Sequence, residues 1–269
     1  PLREGGRRAA LRSWYYQRTG MTLSRENIKP MQTSACLEEK ALEVHRRLIQ
    51  VFGEQHRKRH LDPISQLVST IISQNTNDVL RDKAFDSLRH RFPTWEQARD
   101  APVEQIIAAI QTAGLSQQKG PRIQQALRRI ATERGELSLD FLREMSVEEA
   151  KKWLTASKGV GPKTAAIVLL FALDMPAFPV DTHIHRVTRR LGLIPSRASR
   201  EKAHDLLEAL LPPETYYGFH LNVIQHGREV CEARRPRCEL CVLRDLCDYY
   251  RDVVQPMAEA ATLAAERQT

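Results

Sequence analysis

The spacing of apolar residues constrains the fold of this chain more than any other feature. From about residue 37 onward, apolar side chains recur three and four positions apart, which places them on one face of an α-helix. Two examples are Leu42, Val44, Leu48 and Val51, and then Leu67, Val68, Ile71 and Ile72. Alternating runs bounded by hairpin turns, which are typical of strands, are missing from the sequence. The chain is therefore predicted to be all-α, with short amphipathic helices joined by short loops.

Local signals divide this helical pattern. Ser146 and Glu149 have the spacing of a capping box, which predicts that a helix containing Trp153 and Leu154 begins there. Gly and Pro mark predicted breaks between helices, and these fall at Pro93, Gly114, Gly120-Pro121, Gly135, residues 159–162, Pro176, Pro179 and Pro212-Pro213.

The charge of the chain favours an anionic partner. Of its 269 residues, 41 are Lys or Arg and 33 are Asp or Glu, giving a net charge of +8 and a pI near 9.4. This balance indicates nucleic acid. The longest apolar run, Ala165 to Leu173, is too short for a membrane span, and the first twenty residues lack the apolar core of a signal peptide. We therefore expect an intracellular protein, cytoplasmic or associated with the nucleoid.

Most of the net charge lies at the beginning of the chain. Residues 1–30 carry seven basic and two acidic side chains, and aromatic residues occupy positions 14–16. This composition predicts that residues 1–35 form a flexible basic arm that follows a phosphate backbone. The alternative is a solvated tail, or an extension upstream of a later methionine start. Residues 251–269 are predicted to be a C-terminal tail.

Four of the five cysteines lie near the C-terminus, with the spacing C-x6-C-x2-C-x5-C. Disulfides are not expected in a chain without a signal peptide, so four thiols this close together indicate a metal centre. Zinc ribbons pair two C-x2-C knuckles, and only one is present here. The spacing favours a 4Fe-4S cluster, with tetrahedral zinc as the alternative. The ligands would be Cys231, Cys238, Cys241 and Cys247, whereas Cys36 stands apart and is interpreted as a free or buried thiol.

The loop between the first two of these cysteines is basic, since it carries Arg234, Arg235 and Arg237. The charges of a loose loop would simply be solvated. A loop held at both ends by thiolate ligands is a better contact for a phosphate. The three arginines are therefore predicted to bind the backbone of a nucleic acid.

The segment from Gly159 to Ala165 lies between two predicted helices. Its glycines permit a tight turn with exposed N–H groups, which is an anion site at a helix N-terminus. Lys163 would lie in the first helical turn, where the helix dipole and partial burial lower its pKa and favour a neutral, nucleophilic amine. Asp181, eighteen residues later, is a carboxylate able to stabilise charge on a sugar. Singly, Lys163 is interpreted as a surface lysine and Asp181 as a helix N-cap; together they indicate Schiff-base chemistry.

These motifs resemble those of the endonuclease III branch of the helix-hairpin-helix DNA glycosylases. The resemblance runs from about residue 37 to residue 250, and it rests on Gly159–Ala165, Val180–His183 and His226–Arg228 before the cysteines. It implies that Lys163 is the nucleophile and Asp181 the essential carboxylate. It also implies that the four cysteines hold a 4Fe-4S cluster, which supports folding and DNA binding.

The resemblance further implies a two-domain architecture. A six-helix barrel domain over residues 57–175 would carry the hairpin. Residues 36–56 and 176–250 would form an iron–sulfur cluster helical domain. The active site would then lie in the cleft between the two domains.

A base inside duplex DNA must leave the helix before a protein can act on it. Two segments, residues 72–78 and 113–119, resemble the family's elements that fill the vacated space. In the first, either Gln74 or Asn75 would fill the gap, and in the second Leu115 would be the apolar wedge. The alternative is a capped helix start with Leu115 packed in the core.

One departure from the family lies just before the hairpin. Where the family usually has Leu-Pro, this chain has Ser157-Lys158. Lys158 would contact a phosphate or lower the pKa of Lys163 by like-charge repulsion. The other predicted DNA contacts in this region are Gly159, Val160, Gly161, Thr164 and His183.

The sequence is thus interpreted as a bifunctional DNA glycosylase with AP lyase activity. Its partner would be double-stranded DNA that contains a damaged base, in particular an oxidised pyrimidine, or an abasic site. A monomer is expected. The alternatives are a mismatch-specific glycosylase for uracil, thymine or adenine, and a non-catalytic helix-hairpin-helix DNA-binding protein.

Overall fold

A computed structural model of the chain describes residues 34–56 and 61–259. The predicted basic arm lies outside the described residues except for its last two, as do residues 260–269 of the predicted tail. The α-helices are Ser34–Phe52 (α1), Pro63–Ser73 (α2), Asp78–Arg91 (α3), Trp95–Asp100 (α4), Val103–Ala109 (α5), Ser116–Arg134 (α6), Val147–Thr155 (α7), Pro162–Ala172 (α8), Thr182–Leu191 (α9), Arg200–Leu210 (α10) and Tyr216–Glu229 (α11). No strand occurs in these two ranges, so the all-α prediction is confirmed.

Local capping signals define several of these helix ends. The Ser146 hydroxyl accepts a hydrogen bond from the Glu149 N–H at the start of α7, and the Glu149 carboxylate accepts one from the Ser146 N–H. The predicted capping box is therefore confirmed. Gly135 ends α6 in the left-handed conformation (φ +78°), as a C-terminal glycine commonly does.

The predicted break at Gly120-Pro121 is wrong, because both residues lie inside α6. A Cβ on Gly120 would lie 2.7 Å from Cγ1 of Ile107, so this glycine permits close packing of α6 on α5. Pro121 removes one helical hydrogen bond, at a cost of roughly 3 kcal/mol. Burial of Ile123 and Leu127 on the same helix contributes roughly 1.5–3 kcal/mol each and offsets that cost.

Two separate clusters of buried apolar side chains stabilise the compact unit formed by Glu38–Thr269. The first draws on residues 64–177 and the second on α1, on residues 170–223 and on Leu243. Helix α8 belongs to both, since Leu169 packs in the first cluster and Leu170 in the second. The predicted division into a barrel domain and a cluster domain stays a prediction.

An ion pair joins α7 to α10. The Lys151 ammonium lies 2.6 Å from one carboxylate oxygen of Glu208, and the other oxygen accepts a hydrogen bond from the Phe178 N–H at 2.7 Å. Both charged side chains are largely buried. This network fixes Phe178, which lies within the segment that leads from α8 to α9.

None of the helices in the described ranges is both long enough and apolar enough to span a bilayer.

Candidate active site

A turn that contains Gly159 and Gly161 connects α7 to α8. Gly159 has φ +86°, and a Cβ there would lie 2.5 Å from Cδ of Arg122, so the backbone and the neighbouring side chain both require glycine. Gly161 is the N-cap of α8 and Pro162 its first residue. The first hydrogen bond of the helix runs from the Ala165 N–H to the Gly161 carbonyl, so the N–H groups of Gly161, Lys163 and Thr164 have no backbone partner in the described residues and can bind an anion.

Lys163 is the second residue of α8 and its side chain is exposed. Its predicted position in the first helical turn is confirmed. The predicted partial burial is wrong, because the start of α8 faces outward and burial begins only at Thr164. The amine is therefore accessible to a substrate.

Asp181 is the N-cap of α9. Its Oδ1 accepts a hydrogen bond from the Ile184 N–H at 2.7 Å, so the helix-cap interpretation is confirmed. Its Oδ2 makes no hydrogen bond within the described residues, and the side chain is half-buried. The cap bond fixes one oxygen of the carboxylate and leaves the other for chemistry.

His220, on α11, lies within range of the charges of both Lys163 and Asp181. Burial lowers the pKa of His220 to about 4; the charge of Asp181 opposes this shift and the charge of Lys163 adds to it. Its Nδ1 donates to the Pro179 carbonyl at 3.0 Å, because a carbonyl can only accept. Both charges thus act on one neutral imidazole, and α8, α9 and α11 converge at this point.

Residues 74–77 form the loop after α2, which we call the Asn75 loop. Its first two residues have different surroundings. The Gln74 amide donates to the Gly159 carbonyl at 2.9 Å, and Gln74 Oε1 accepts from Arg122 at 3.4 Å. Asn75 has a left-handed backbone (φ +54°) and an exposed side chain without a hydrogen bond in the described part of the chain. Gln74 is held by the hairpin, whereas Asn75 is presented to solvent.

The Leu115 loop, residues 113–115, precedes α6. Leu115 also has a left-handed backbone (φ +52°), and 48% of the residue is exposed. The alternative in which Leu115 packs in the core is therefore wrong. An exposed leucine at a loop tip is suited to act as an apolar wedge.

Comparison with known proteins identifies the family. Residues 68–213 match the model of the HhH-GPD superfamily base excision DNA repair proteins, which is more than half of the chain. The chain belongs to this HhH-GPD superfamily.

The chain is also similar to individual glycosylases. It is 32% identical to endonuclease III of Thermotoga maritima, over 78% of this chain and 92% of that protein. It is 40% identical to a putative DNA glycosylase of Arabidopsis thaliana over 60% of this chain, and it spans 55% of that longer protein. A trapped endonuclease III–DNA covalent intermediate has a TM-score of 0.68 at 26% identity, covering 80% of this chain and 97% of that one. The resemblance to endonuclease III is confirmed.

In this HhH-GPD protein the four clustered cysteines line one cavity together with Arg190 and His226. All four are half-buried, and burial raises the pKa of Cys241 to about 11, with the other three thiols adding to the shift. Arg190 donates to Cys231 Sγ at 3.2 Å. Soft thiols packed this closely fit a metal cluster, whose positive charge would favour the thiolate form. Within residues 34–56 and 61–259, however, no three His, Cys, Asp or Glu side chains converge on a single-ion site. Cys36 is exposed.

Arg190 also fixes the loop that carries the predicted basic contacts. It donates to the carbonyls of Glu232 and Ala233 at 2.7 and 2.9 Å, and it lies 4.6 Å from the Tyr249 ring centroid. The arginines that follow are exposed at positions 234, 235 and 237. Arg237 forms an ion pair with Glu232 at 2.9 Å, which leaves Arg234 and Arg235 as the stronger candidates for phosphate.

The remaining residues that were predicted to contact DNA differ in which of their atoms are accessible. The side chains of Val160 and Thr164 are buried, so only backbone atoms of these two residues are available, and the Val160 N–H already donates to the Ser157 carbonyl at 3.0 Å. Lys158 is exposed beside the hairpin. The His183 ring is hydrogen-bonded to Arg186 at 3.1 Å between Nδ1 and Nη2. Contact of these residues with DNA stays a prediction.

Two residues of the site escaped the sequence analysis. His220 belongs to no short motif, and only the fold places it beside Lys163 and Asp181. Lys119, which is buried, is four and eight positions before Ile123 and Leu127. That spacing is a signal that it lies on the buried face of α6.

Proposed function

We propose that this protein is a bifunctional DNA glycosylase and AP lyase that removes damaged, in particular oxidised, pyrimidines from duplex DNA. The observation that carries the proposal is the convergence of an exposed lysine amine, Lys163, and a half-buried carboxylate, Asp181, on the same buried imidazole. We further propose that it acts as a monomer inside the cell, in association with the nucleoid.

The hairpin supports binding of a phosphate close to Lys163. The free amides at the start of α8 would hold a backbone phosphate without reading sequence. An extruded nucleotide would then lie within reach of the amine, which follows directly in the same helical turn. The hairpin would therefore position the nucleotide, and Lys163 would act as the nucleophile.

The chemistry follows from an amine and a carboxylate. The Lys163 amine attacks C1′ of the extruded nucleotide; the base leaves with the electrons of the glycosidic bond and takes up a proton. Asp181 stabilises positive charge on the sugar and accepts the proton released by the amine. The C1′–O4′ bond of the resulting aminal then breaks and O4′ takes up a proton, so that a protonated Schiff base forms between Lys163 and C1′. The Schiff base makes the C2′ proton acidic, and loss of that proton expels the 3′ phosphate by β-elimination. Water finally releases Lys163.

Asn75 and Leu115 would fill the space that the extruded base leaves. Gln74 is engaged by Gly159, which favours Asn75 as the polar element in the gap. The exposed Leu115 would wedge between bases. The two loops would thus stabilise the open duplex.

We also propose that Cys231, Cys238, Cys241 and Cys247 hold a 4Fe-4S cluster. A single zinc requires four sulfurs about 2.3 Å from one point; each cysteine of a four-iron cluster binds a different iron, so thiols spaced around a cavity suit it better. When bound, the cluster would supply a rigid cross-link beneath the loop of Arg234 and Arg235. Iron and sulfide analysis tests this assignment: Cys241→Ser should lose iron and Cys36→Ser should retain it, whereas stoichiometric zinc in the wild type would exclude the cluster.

Borohydride trapping on abasic-site DNA tests the enzymatic proposal. Reduction of the Schiff base should yield a covalent protein–DNA adduct that Lys163→Ala abolishes. Lys152→Ala, which removes an exposed lysine of α7, is the matched control and should leave the adduct unchanged. An undiminished adduct in Lys163→Ala would refute the assignment of the nucleophile.

A substrate panel separates the alternatives. Oligonucleotides with oxidised pyrimidines, uracil, thymine or adenine mismatches and abasic sites would be assayed for excision and for nicking. Excision without nicking would replace the proposal by a monofunctional mismatch glycosylase. Binding without either activity would replace it by a non-catalytic DNA-binding protein.

A further inference from the structure

Lys119 is a buried cation without a carboxylate partner in the described part of the chain. Only 1% of the residue is exposed, and it is among the largest fully buried side chains. Its Nζ donates to the Ile72 carbonyl at 2.8 Å and to the Ala113 carbonyl at 2.9 Å. Burying an ammonium group is costly unless it is well hydrogen-bonded, so these two contacts define its role.

The two carbonyls belong to the two elements that face the duplex in the proposed function. Ile72 lies in the last turn of α2, where carbonyls lack helical partners, three residues before the left-handed Asn75. Ala113 lies two residues before Leu115. A single side chain therefore holds the base of the Asn75 loop and the base of the Leu115 loop.

The loop tips need such support. Asn75 and Leu115 both adopt a left-handed backbone, which is unfavourable for leucine and less so for asparagine, and which persists at Leu115 only where the surroundings impose it. Gln74 provides one further contact for the Asn75 loop, through the Gly159 carbonyl. Lys119 is the element that the two loops share.

We propose that Lys119 is a positioning residue that fixes the spacing of the Asn75 loop and the Leu115 loop, so that both enter the duplex together when a base is extruded. The proposal rests on the proposed function, because the spacing matters only if the loops fill a gap in DNA. Lys119 acts through the loops and not at C1′. Its loss should therefore affect base extrusion more than the lyase step.

Lys119→Met tests this proposal, since it retains an unbranched chain and removes the N–H donors. Amide hydrogen exchange should increase in peptides that cover the two loops. Single-turnover excision of a damaged base from duplex DNA should fall about 10- to 100-fold, as expected for loss of hydrogen bonds from a charged donor. Nicking of an abasic site should fall less than about threefold, because a missing base makes extrusion easier.

A core variant controls for simple destabilisation. Leu127→Ala truncates a buried side chain on the same helix and touches neither loop carbonyl. It should lower the melting temperature but preserve the ratio of excision to nicking. If Lys119→Met does not fold, Lys119→Gln, which is shorter and keeps a donor, is compared with Leu127→Ala in the same assays.

If amide hydrogen exchange in both loops of Lys119→Met equals that of the wild type, or if excision and nicking fall equally, Lys119 is not a positioning residue for the two loops. Hydrogen exchange needs no activity, so it separates this proposal from the proposed function. If the wild type neither excises nor nicks, the proposed function fails, and faster exchange in both loops of Lys119→Met still supports Lys119 as their common support.

Discussion

The side-chain amide of Gln74 donates a 2.9 Å hydrogen bond to the backbone carbonyl of Gly159, 85 residues away in the sequence. This bond connects the Asn75 loop to the hairpin turn. It also favours Asn75 over Gln74 as the residue proposed to enter the duplex, because an amide engaged with the hairpin cannot enter the duplex without breaking that contact.

Asn75→Ala and Gln74→Ala should therefore have different effects. Asn75→Ala should slow excision from duplex DNA about tenfold or more and leave the melting temperature nearly unchanged, since its side chain is exposed. Gln74→Ala should cost about 0.5–1.5 kcal/mol of stability through the lost hydrogen bond. Denaturant unfolding and single-turnover excision distinguish the two, and the reverse pattern would assign the gap to Gln74.

Substitutions of the two hairpin glycines should affect different properties, one mainly the stability of the fold and the other mainly the binding of DNA. Gly159→Ala places a Cβ against Arg122 at a left-handed position and should destabilise the fold by at least about 1–2 kcal/mol. Gly161→Ala has open space around it and an ordinary φ of −93°, so it should fold nearly normally. A methyl group on the exposed turn should nevertheless weaken DNA binding. Thermal unfolding and binding titrations at one fixed salt concentration test both expectations; a Gly161→Ala variant that binds normally would argue against a phosphate site at the turn.

Asp181 combines a structural and a proposed chemical role, which two substitutions can separate. Asparagine is also a good N-cap, so Asp181→Asn should retain the bond to the Ile184 N–H and the stability of α9. Asp181→Ala should lose about 1 kcal/mol by removing the cap. Both should reduce turnover at least about 100-fold, because neither offers a carboxylate. Retention of activity in Asp181→Asn would exclude the carboxylate from the reaction.

The buried His220 makes stability depend on pH in a defined window. Its pKa is about 4 in the folded protein against 6.5 for an ordinary histidine, so between these values the unfolded chain binds the additional proton. This contribution to stability is complete above pH 6.5, declines as the pH falls from 6.5 to 4, and declines no further below that. Denaturant unfolding across this range should show a shallower pH dependence for His220→Gln than for the wild type. Parallel curves would contradict the burial of His220 as a neutral imidazole.

The sequence predicted those parts of the molecule that local interactions determine. The Ser146 capping box and the position of Lys163 in a first helical turn each depend on a few consecutive residues. The predicted break at Gly120-Pro121 was wrong because Gly120 lies inside a helix that packs closely against Ile107 of another helix. The choice between Gln74 and Asn75 depends on Gly159, and the exposure of Lys163 depends on which way α8 faces. Such long-range contacts leave no mark in the spacing of nearby residues.

Helix α8 contributes Leu169 to one apolar cluster and Leu170 to the other, six and seven residues after Lys163. The proposed nucleophile, Lys163, thus lies on a helix that contributes side chains to both apolar clusters. A substitution that repacks either cluster is therefore expected to change the position of the Lys163 amine relative to Asp181. Under the proposed function, activity could then be lost through substitutions in either apolar cluster, far from any residue that is proposed to contact DNA.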